Sequence, residues 1–179
     1  MNWNRGPILY CIVCFFVGCS NVYAAQGQLG VGYGKEFREN TDLAQFELFY
    51  RLPLSYTKKL GDEWQLSTEL EFGGAIIDDN NSETSSTGRL SLMPQMMLSP
   101  NNDSIFFLIG LGAGGMMGET EFENHNLGGP FFLSSKVGVL FFLGEHFGLE
   151  YNYYHQSNAG IYEFNAGLNM HHIGLSYRF

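Results

Sequence analysis

Between Tyr153 and Asn169 the chain reads YYHQSNAGIYEFNAGLN. His155 and Ser157 are separated by one residue, and Asn169 follows twelve residues after Ser157. A serine hydroxyl becomes a nucleophile when a neighbouring imidazole takes its proton, and the imidazole needs an acceptor that orients it. Side chains of these three types can carry out acyl transfer at an ester. They can equally be polar decoration at the end of a strand, and the choice depends on where the segment lies. Little else in the chain competes for a chemical role. The cysteines, Cys11, Cys14 and Cys19, all precede Ala24, so a chain cut there has no thiol and no disulfide. His125 has no ligand partner in the sequence, and no metal-ligand spacing occurs, so no metal site is expected.

The start of the chain, MNWNRGPILYCIVCFFVGCSNVYAA, has the features of a secretory signal. Arg5 supplies the positive region, Ile8 to Val17 the apolar core, and Val22-Tyr23-Ala24 the small-residue cleavage site. The apolar run is too short to cross a bilayer as a helix. A lipoprotein box, Phe16-Val17-Gly18-Cys19, is the competing reading, with Phe a poor first residue for it. The expected organisation is a signal peptide over 1–24 and one domain over 25–179, exported to a bacterial envelope. Removing the leader takes away Arg5 alone. Eight basic residues then face eighteen acidic ones, a formal net charge of −10. That balance argues against a nucleic-acid partner.

The mature chain alternates. In GQLGVGYG, Leu29, Val31 and Tyr33 share a face. In AQFELFYRL, Ala44, Phe46, Leu48, Tyr50 and Leu52 oppose Gln45, Glu47 and Arg51. The same period runs through WQLSTELEFGGAI, RLSLMPQMML, FFLSSKVGVLF, FGLEYNYYHQS and NMHHIGLSYRF, while IFFLIGLGAG is apolar on both faces. These stretches predict about eight strands of roughly ten residues, the length that crosses a membrane when tilted. Short connectors near 55–63, 99–104 and 143–146 alternate with longer, mostly acidic ones near 36–43, 77–88, 116–128 and 158–167. Short turns at one end and long loops at the other predict an all-β fold. It is an eight-stranded antiparallel transmembrane barrel of the outer-membrane type. Its narrow lumen would be filled by polar side chains of both signs, paired with one another. Phe179 closes the last strand in the manner of outer-membrane barrels.

This topology places the opening segment. With both termini periplasmic, the seventh strand ends at the outer surface near Ser157, and the eighth descends from about Leu168. Odd-numbered residues face lipid on both strands. His155, Ser157 and Asn169 therefore point to the same, outer side of the wall, where polar groups are unfavourable without a task unless they reach the headgroups.

On these residues the segment resembles the C-terminal motif of the PagL-type lipid A 3-O-deacylases. The shared pattern is His-x-Ser-Asn, a short loop, Asn165-x-Gly167, an acidic or amide residue, and a strand ending in Phe. The specific likeness covers His155 to Phe179. The resemblance implies an outer-membrane serine esterase, active without a cofactor, whose membrane partner is lipopolysaccharide. It implies Ser157 as nucleophile, His155 as base and position 169 as orienter. Asn158 becomes the oxyanion donor, with Gly160, Asn165 and Gly167 shaping the site. The family carries glutamate where this chain has Asn169, which bears on rate. Glu163 fits no family position, Glu150 has lumen parity, and His171 shares the outward parity. The alternatives are a barrel that binds lipopolysaccharide without cleaving it and a structural or adhesive barrel. The sequence leaves room for a homodimer.

Overall fold

A computed structural model describes residues 27–38, 41–79, 86–100, 104–122 and 125–179. The expected leader, with its three cysteines, lies outside the described residues. The strands are β1 (Gln28–Glu36), β2 (Leu43–Leu60), β3 (Trp64–Asp79), β4 (Ser86–Pro100) and β5 (Ile105–Gly118), then β6 (Glu121–Phe122), β7 (His125–Asn126), β8 (Phe131–Leu143), β9 (Phe147–Ser157) and β10 (Leu168–Arg178). Eight of them close a barrel in the order β1-β10-β9-β8-β5-β4-β3-β2, while β6 and β7 form a separate short hairpin. All pairs are antiparallel. The seam runs from Gln28 opposite Arg178 to Glu36 opposite Met170, so no edge is left between the first and last strands. A closed ladder is what a lipid environment demands, since no water is there to satisfy an open edge.

Alternation decides which side chains meet lipid. Phe46, Leu90, Ile109, Leu111, Val137, Ile173 and Leu175 stand exposed on the outer wall. Aromatic rings band it near both ends. Towards the outer rim, Tyr33 packs on Phe46, and Tyr151 and Phe37 stack on His171. Towards the periplasmic end, Tyr177 contacts both Phe147 and Phe179. The fold is therefore a transmembrane barrel of the outer-membrane type.

The lumen is filled in layers. Across its middle, Glu71 accepts from Lys136 Nζ at 2.6 Å and Arg51 Nε at 2.8 Å. Arg51 also reaches Glu150 at 2.6 Å, Arg89 pairs with Glu47 at 2.5 Å, and His172 lies 3.2 Å from Glu47. This is the mixed-sign plug the sequence predicts. Apolar layers close it on both sides: Leu43, Ile77, Met116, Phe132 and Leu168 towards the outer rim, and Met97, Phe106, Leu108 and Leu140 below. Room for these side chains comes from the inner face of β1. A Cβ at Gly32 would stand 2.3 Å from the His172 ring, and one at Gly30 would stand 2.2 Å from Phe49. Removing one member of a buried ion cluster strands its partners without compensation. Glu71→Ala is expected to cost about 3–5 kcal/mol of barrel stability, read as an earlier urea midpoint, with hydrolysis unchanged while the barrel stays folded.

The connectors are tighter than the sequence suggests. The turn expected near 55–63 is only Gly61–Glu63, because β2 continues to Leu60. Pairing with β3 slips between Pro53 and Thr57, where proline has no N–H to give the ladder, and then resumes. Residues from Leu54 to Leu60 are exposed on both faces. Burial imposes no alternation there, so the strand leaves no periodic trace.

Candidate active site

Register brings the polar residues together. Asn169 of β10 lies opposite His155 of β9, and His155 lies opposite Ser135 of β8. Directly opposed residues share a face, with Cβ atoms about 5 Å apart. Asn169, His155 and Ser135 thus form a row on the outer wall. Ser157 is the next outward residue of β9, half-buried beside Leu133. Its Cα stands roughly 7 Å from that of His155 by strand geometry.

The hydrogen bonds around Asn169 fix the state of the imidazole. Asn169 is 4% exposed. Its Nδ2 donates to the Gly167 carbonyl at 3.2 Å, and its Oδ1 lies 2.8 Å from His155 Nδ1 and 3.0 Å from the Tyr153 hydroxyl. A carbonyl only accepts, so the amide hydrogens must face Gly167 and the amide oxygen must face His155. An amide oxygen also only accepts, so Nδ1 carries the proton and Nε2 keeps its lone pair. That is the tautomer a general base requires. Tyr153 donates to the same oxygen. The Asn169 backbone N–H donates to Glu36 Oε2. Glu36 Oε1 in turn accepts from Phe37 N at 3.0 Å and Arg38 N at 2.8 Å, so the end of β1 anchors the top of β10.

Gly167 has a spatial reason to be glycine. A Cβ there would stand 2.9 Å from His155 Cε1. Gly167→Val is expected to push the ring off its present line and lower kcat by about 10²-fold, since displacements near 1 Å have that effect. Unchanged urea unfolding of the variant would separate this loss from instability.

The loop after Ser157 is held by its own amides and by the β7–β8 connection. Ile161 N bonds Asn158 O at 3.1 Å, closing a tight turn through Ala159 at φ 54 and Gly160 at φ 78. A left-handed φ suits Gly160 and is strained for Ala159. Asn158 is 2% exposed; its Nδ2 donates to Leu127 O at 2.9 Å and Phe164 O at 2.6 Å, and its Oδ1 accepts from Gly160 N. Both amide hydrogens expected at an oxyanion are thus spent on carbonyls. The Asn158 backbone N–H donates to Asn165 Oδ1 at 2.8 Å, which aims the Nδ2 of the exposed Asn165 away from that bond. Ala166 N bonds Asn126 O, and Tyr162 Oη accepts from Phe131 N, so the loop is clamped across the barrel mouth.

Other titratable groups stand apart. Glu150 is in the lumen on Arg51, and Glu163 is exposed in the loop. His172 and His125 are buried, and His171 Nδ1 meets the Tyr151 hydroxyl at 2.6 Å. Among the described residues no group of His, Cys, Asp or Glu is arranged to hold a metal ion. Sequence reasoning missed Glu36, Tyr153 and Ser135. Only Ser135 left a trace, as the one polar residue on the outward face of β8, between Leu133 and Val137.

Residues 44–178 match the family model described as Lipid A 3-O-deacylase (PagL). The chain belongs to the lipid A 3-O-deacylase family. The matched span covers every site residue named above except Glu36. The Lipid A deacylase PagL of Bordetella bronchiseptica is 26% identical over 182 residues, covering 98% of this chain and 98% of that protein. Among solved structures, the crystal structure of the outer membrane enzyme PagL superposes with a TM-score of 0.70 at 18% identity, covering 83% of this chain and 97% of that one. The N-terminal β-barrel domain of Pseudomonas aeruginosa OprF gives 0.53 at 12% identity, covering 87% and 98%. At these identities both superpositions speak to the barrel fold alone.

Proposed function

We propose that this protein hydrolyses the ester at position 3 of lipid A, in the outer leaflet of the outer membrane, through Ser157, His155 and Asn169. Family membership supplies the reaction and the substrate class. The assignment of roles rests above all on the 2.8 Å contact between His155 Nδ1 and Asn169 Oδ1, on a wall that otherwise faces lipid.

In this reading His155 Nε2 takes the Ser157 proton as Oγ attacks the acyl carbonyl. The tetrahedral oxyanion forms beside the loop. Asn165 Nδ2, oriented by the Asn158 N–H, is the amide available to it, since the side chain of Asn158 is engaged elsewhere. Collapse returns the proton from His155 to the sugar 3-oxygen, which leaves as a hydroxyl. Water, deprotonated by the same imidazole, then releases the 3-hydroxyacyl chain as its acid and regenerates Ser157. Substrate enters sideways from the membrane, because the site is on the outer wall and the lumen is filled. No cofactor takes part in these steps.

An amide at position 169 orients the imidazole but brings no charge to the imidazolium. The chemistry therefore relies more on tautomer control than a glutamate-bearing triad does. Purified lipid A in detergent, treated with the folded protein and analysed by mass spectrometry, is expected to lose one 3-linked hydroxyacyl chain. Lipid A of unchanged mass beside a correctly folded barrel would overturn the esterase reading and favour binding without cleavage.

A further inference from the structure

The basic residues of the chain after the expected leader divide into three groups. Arg51, Arg89 and Lys136 are buried in the lumen against carboxylates. Lys58, Lys59 and Arg178 are at the periplasmic end of their strands. Lys35 and Arg38 are what remains, and both are at the outer rim. The rest of that rim is acidic, with Asp78 and Asp79 closing β3 and Glu119, Glu121 and Glu163 in the loops. All positive charge at the outer end is therefore concentrated on the tip of β1.

That tip adjoins the site. Lys35 is paired in register with His171, the next outward residue of β10 after Asn169. Its side chain is 55% exposed, with the ammonium 2.8 Å from Asp42 Oδ1. An ammonium has three hydrogens, so the pair with Asp42 leaves donors for a further acceptor. Arg38 is exposed, and its backbone is fixed by the Glu36 carboxylate that also holds Asn169. Phe37, between them, stacks on His171 at 4.1 Å and meets Tyr153 edge-on at 5.8 Å. The backbone that carries the two cations is thus tied, through the Glu36 carboxylate and the Phe37 ring, to Asn169 and His171 of β10.

We propose that Lys35 and Arg38 form an anion subsite that docks a phosphate of the lipid A disaccharide while its 3-linked ester lies at Ser157. The proposal rests on the deacylase reading of the site. It makes Lys35 and Arg38 positioning residues that select phosphorylated over dephosphorylated substrate. Lys35 lies two strand spacings across and one residue pair along from His155, about 12 Å between Cα atoms by strand geometry, a span that suits an anion on the disaccharide that carries the scissile ester. Charge-assisted contacts of lysine and arginine with phosphate are strong enough for about a tenfold effect on apparent affinity.

The test is a cycle of two substrates and two proteins in an uncharged detergent, so that the only phosphate present is the substrate's own. Wild type is expected to show about a tenfold higher KM for dephosphorylated than for phosphorylated lipid A, with kcat nearly unchanged. Lys35→Ala/Arg38→Ala is expected to show that raised KM on phosphorylated lipid A and no further rise on the dephosphorylated form. Lys58→Ala/Lys59→Ala removes the same charge at the far end and is expected to leave KM as in wild type. Equal KM values of wild type for the two substrates would overturn the subsite, as would an equal loss in the rim variant on both. Adding anionic phospholipid should raise KM for wild type if the subsite accepts any lipid phosphate, and leave it unaltered if the sugar must come with it. Each cycle is repeated as lipid A binding to Ser157→Ala protein, which needs no turnover. Phosphate-dependent binding lost in the Ser157→Ala/Lys35→Ala/Arg38→Ala protein supports the subsite even where hydrolysis is absent. Binding indifferent to phosphate refutes it independently of the esterase.

Discussion

Ser157→Ala is expected to reduce lipid A deacylation by about 10⁵–10⁶-fold, the scale at which loss of a nucleophile removes a hydrolase's covalent route. The substitution deletes one oxygen on a half-buried position of the outer wall, with no lumen contact to disturb. Urea unfolding and gel mobility should match wild type. Ser135 is the natural control, because its hydroxyl is carried directly across from His155 on β8. Ser135→Ala is expected to stay within about tenfold of wild type, the effect of losing one neutral hydrogen bond or less. If Ser135→Ala removed activity and Ser157→Ala spared it, the nucleophile would have to be reassigned to β8. Mass spectrometry of lipid A from envelopes expressing each variant reads the outcome directly.

The second large effect concerns Asn169. Asn169→Leu keeps the branching and the heavy-atom count of the side chain and removes its acceptor. His155 then loses the partner at 2.8 Å that holds the proton on Nδ1, and the Tyr153 hydroxyl loses its acceptor too. Where a serine hydrolase has been given the wrong tautomer, the loss is about 10⁴-fold, and 10³–10⁴-fold is expected here. Asn169→Asp retains an acceptor for both donors and adds a charge that favours the imidazolium, at the cost of the bond to the Gly167 carbonyl. It is expected to keep activity within about tenfold of wild type or to exceed it, the lost neutral hydrogen bond being worth about 1 kcal/mol. The two variants measured together ask whether position 169 acts through hydrogen-bond polarity or through shape. Equal rates for leucine and aspartate would rule out the tautomer argument.

Much of this arrangement was legible in the sequence, because a barrel strand has a period of two and a fixed sidedness. Parity alone put His155, Ser157 and Asn169 on one side of the wall, and it put Glu71, Arg89 and Lys136 on the other. Neighbours across the ladder are a different matter. Register depends on how the turns close, so nothing local ties Glu36 to Asn169, which are 133 positions apart. Tyr153 reads as one more interfacial aromatic until its hydroxyl is seen on Asn169 Oδ1. Ser135 adjoins the inward Ser134, and the pair reads as a polar patch, not as one residue on each face. The role of Asn158 was obscured for a further reason. Asn is favoured both in turns and at oxyanions, and only the carbonyls of Leu127 and Phe164 reveal which use consumes its amide.

The layered lumen has a consequence for the cell that carries the protein. Arginine, lysine and glutamate neutralise one another across the axis, and apolar side chains seal the path above and below them. A barrel filled in this way by its described side chains is expected to pass no current of ions. Planar bilayers holding many copies should keep the electrical resistance of bare lipid. The envelope can therefore vary the abundance of this protein without altering its osmotic barrier, and remodelling of the surface is uncoupled from leakage through it.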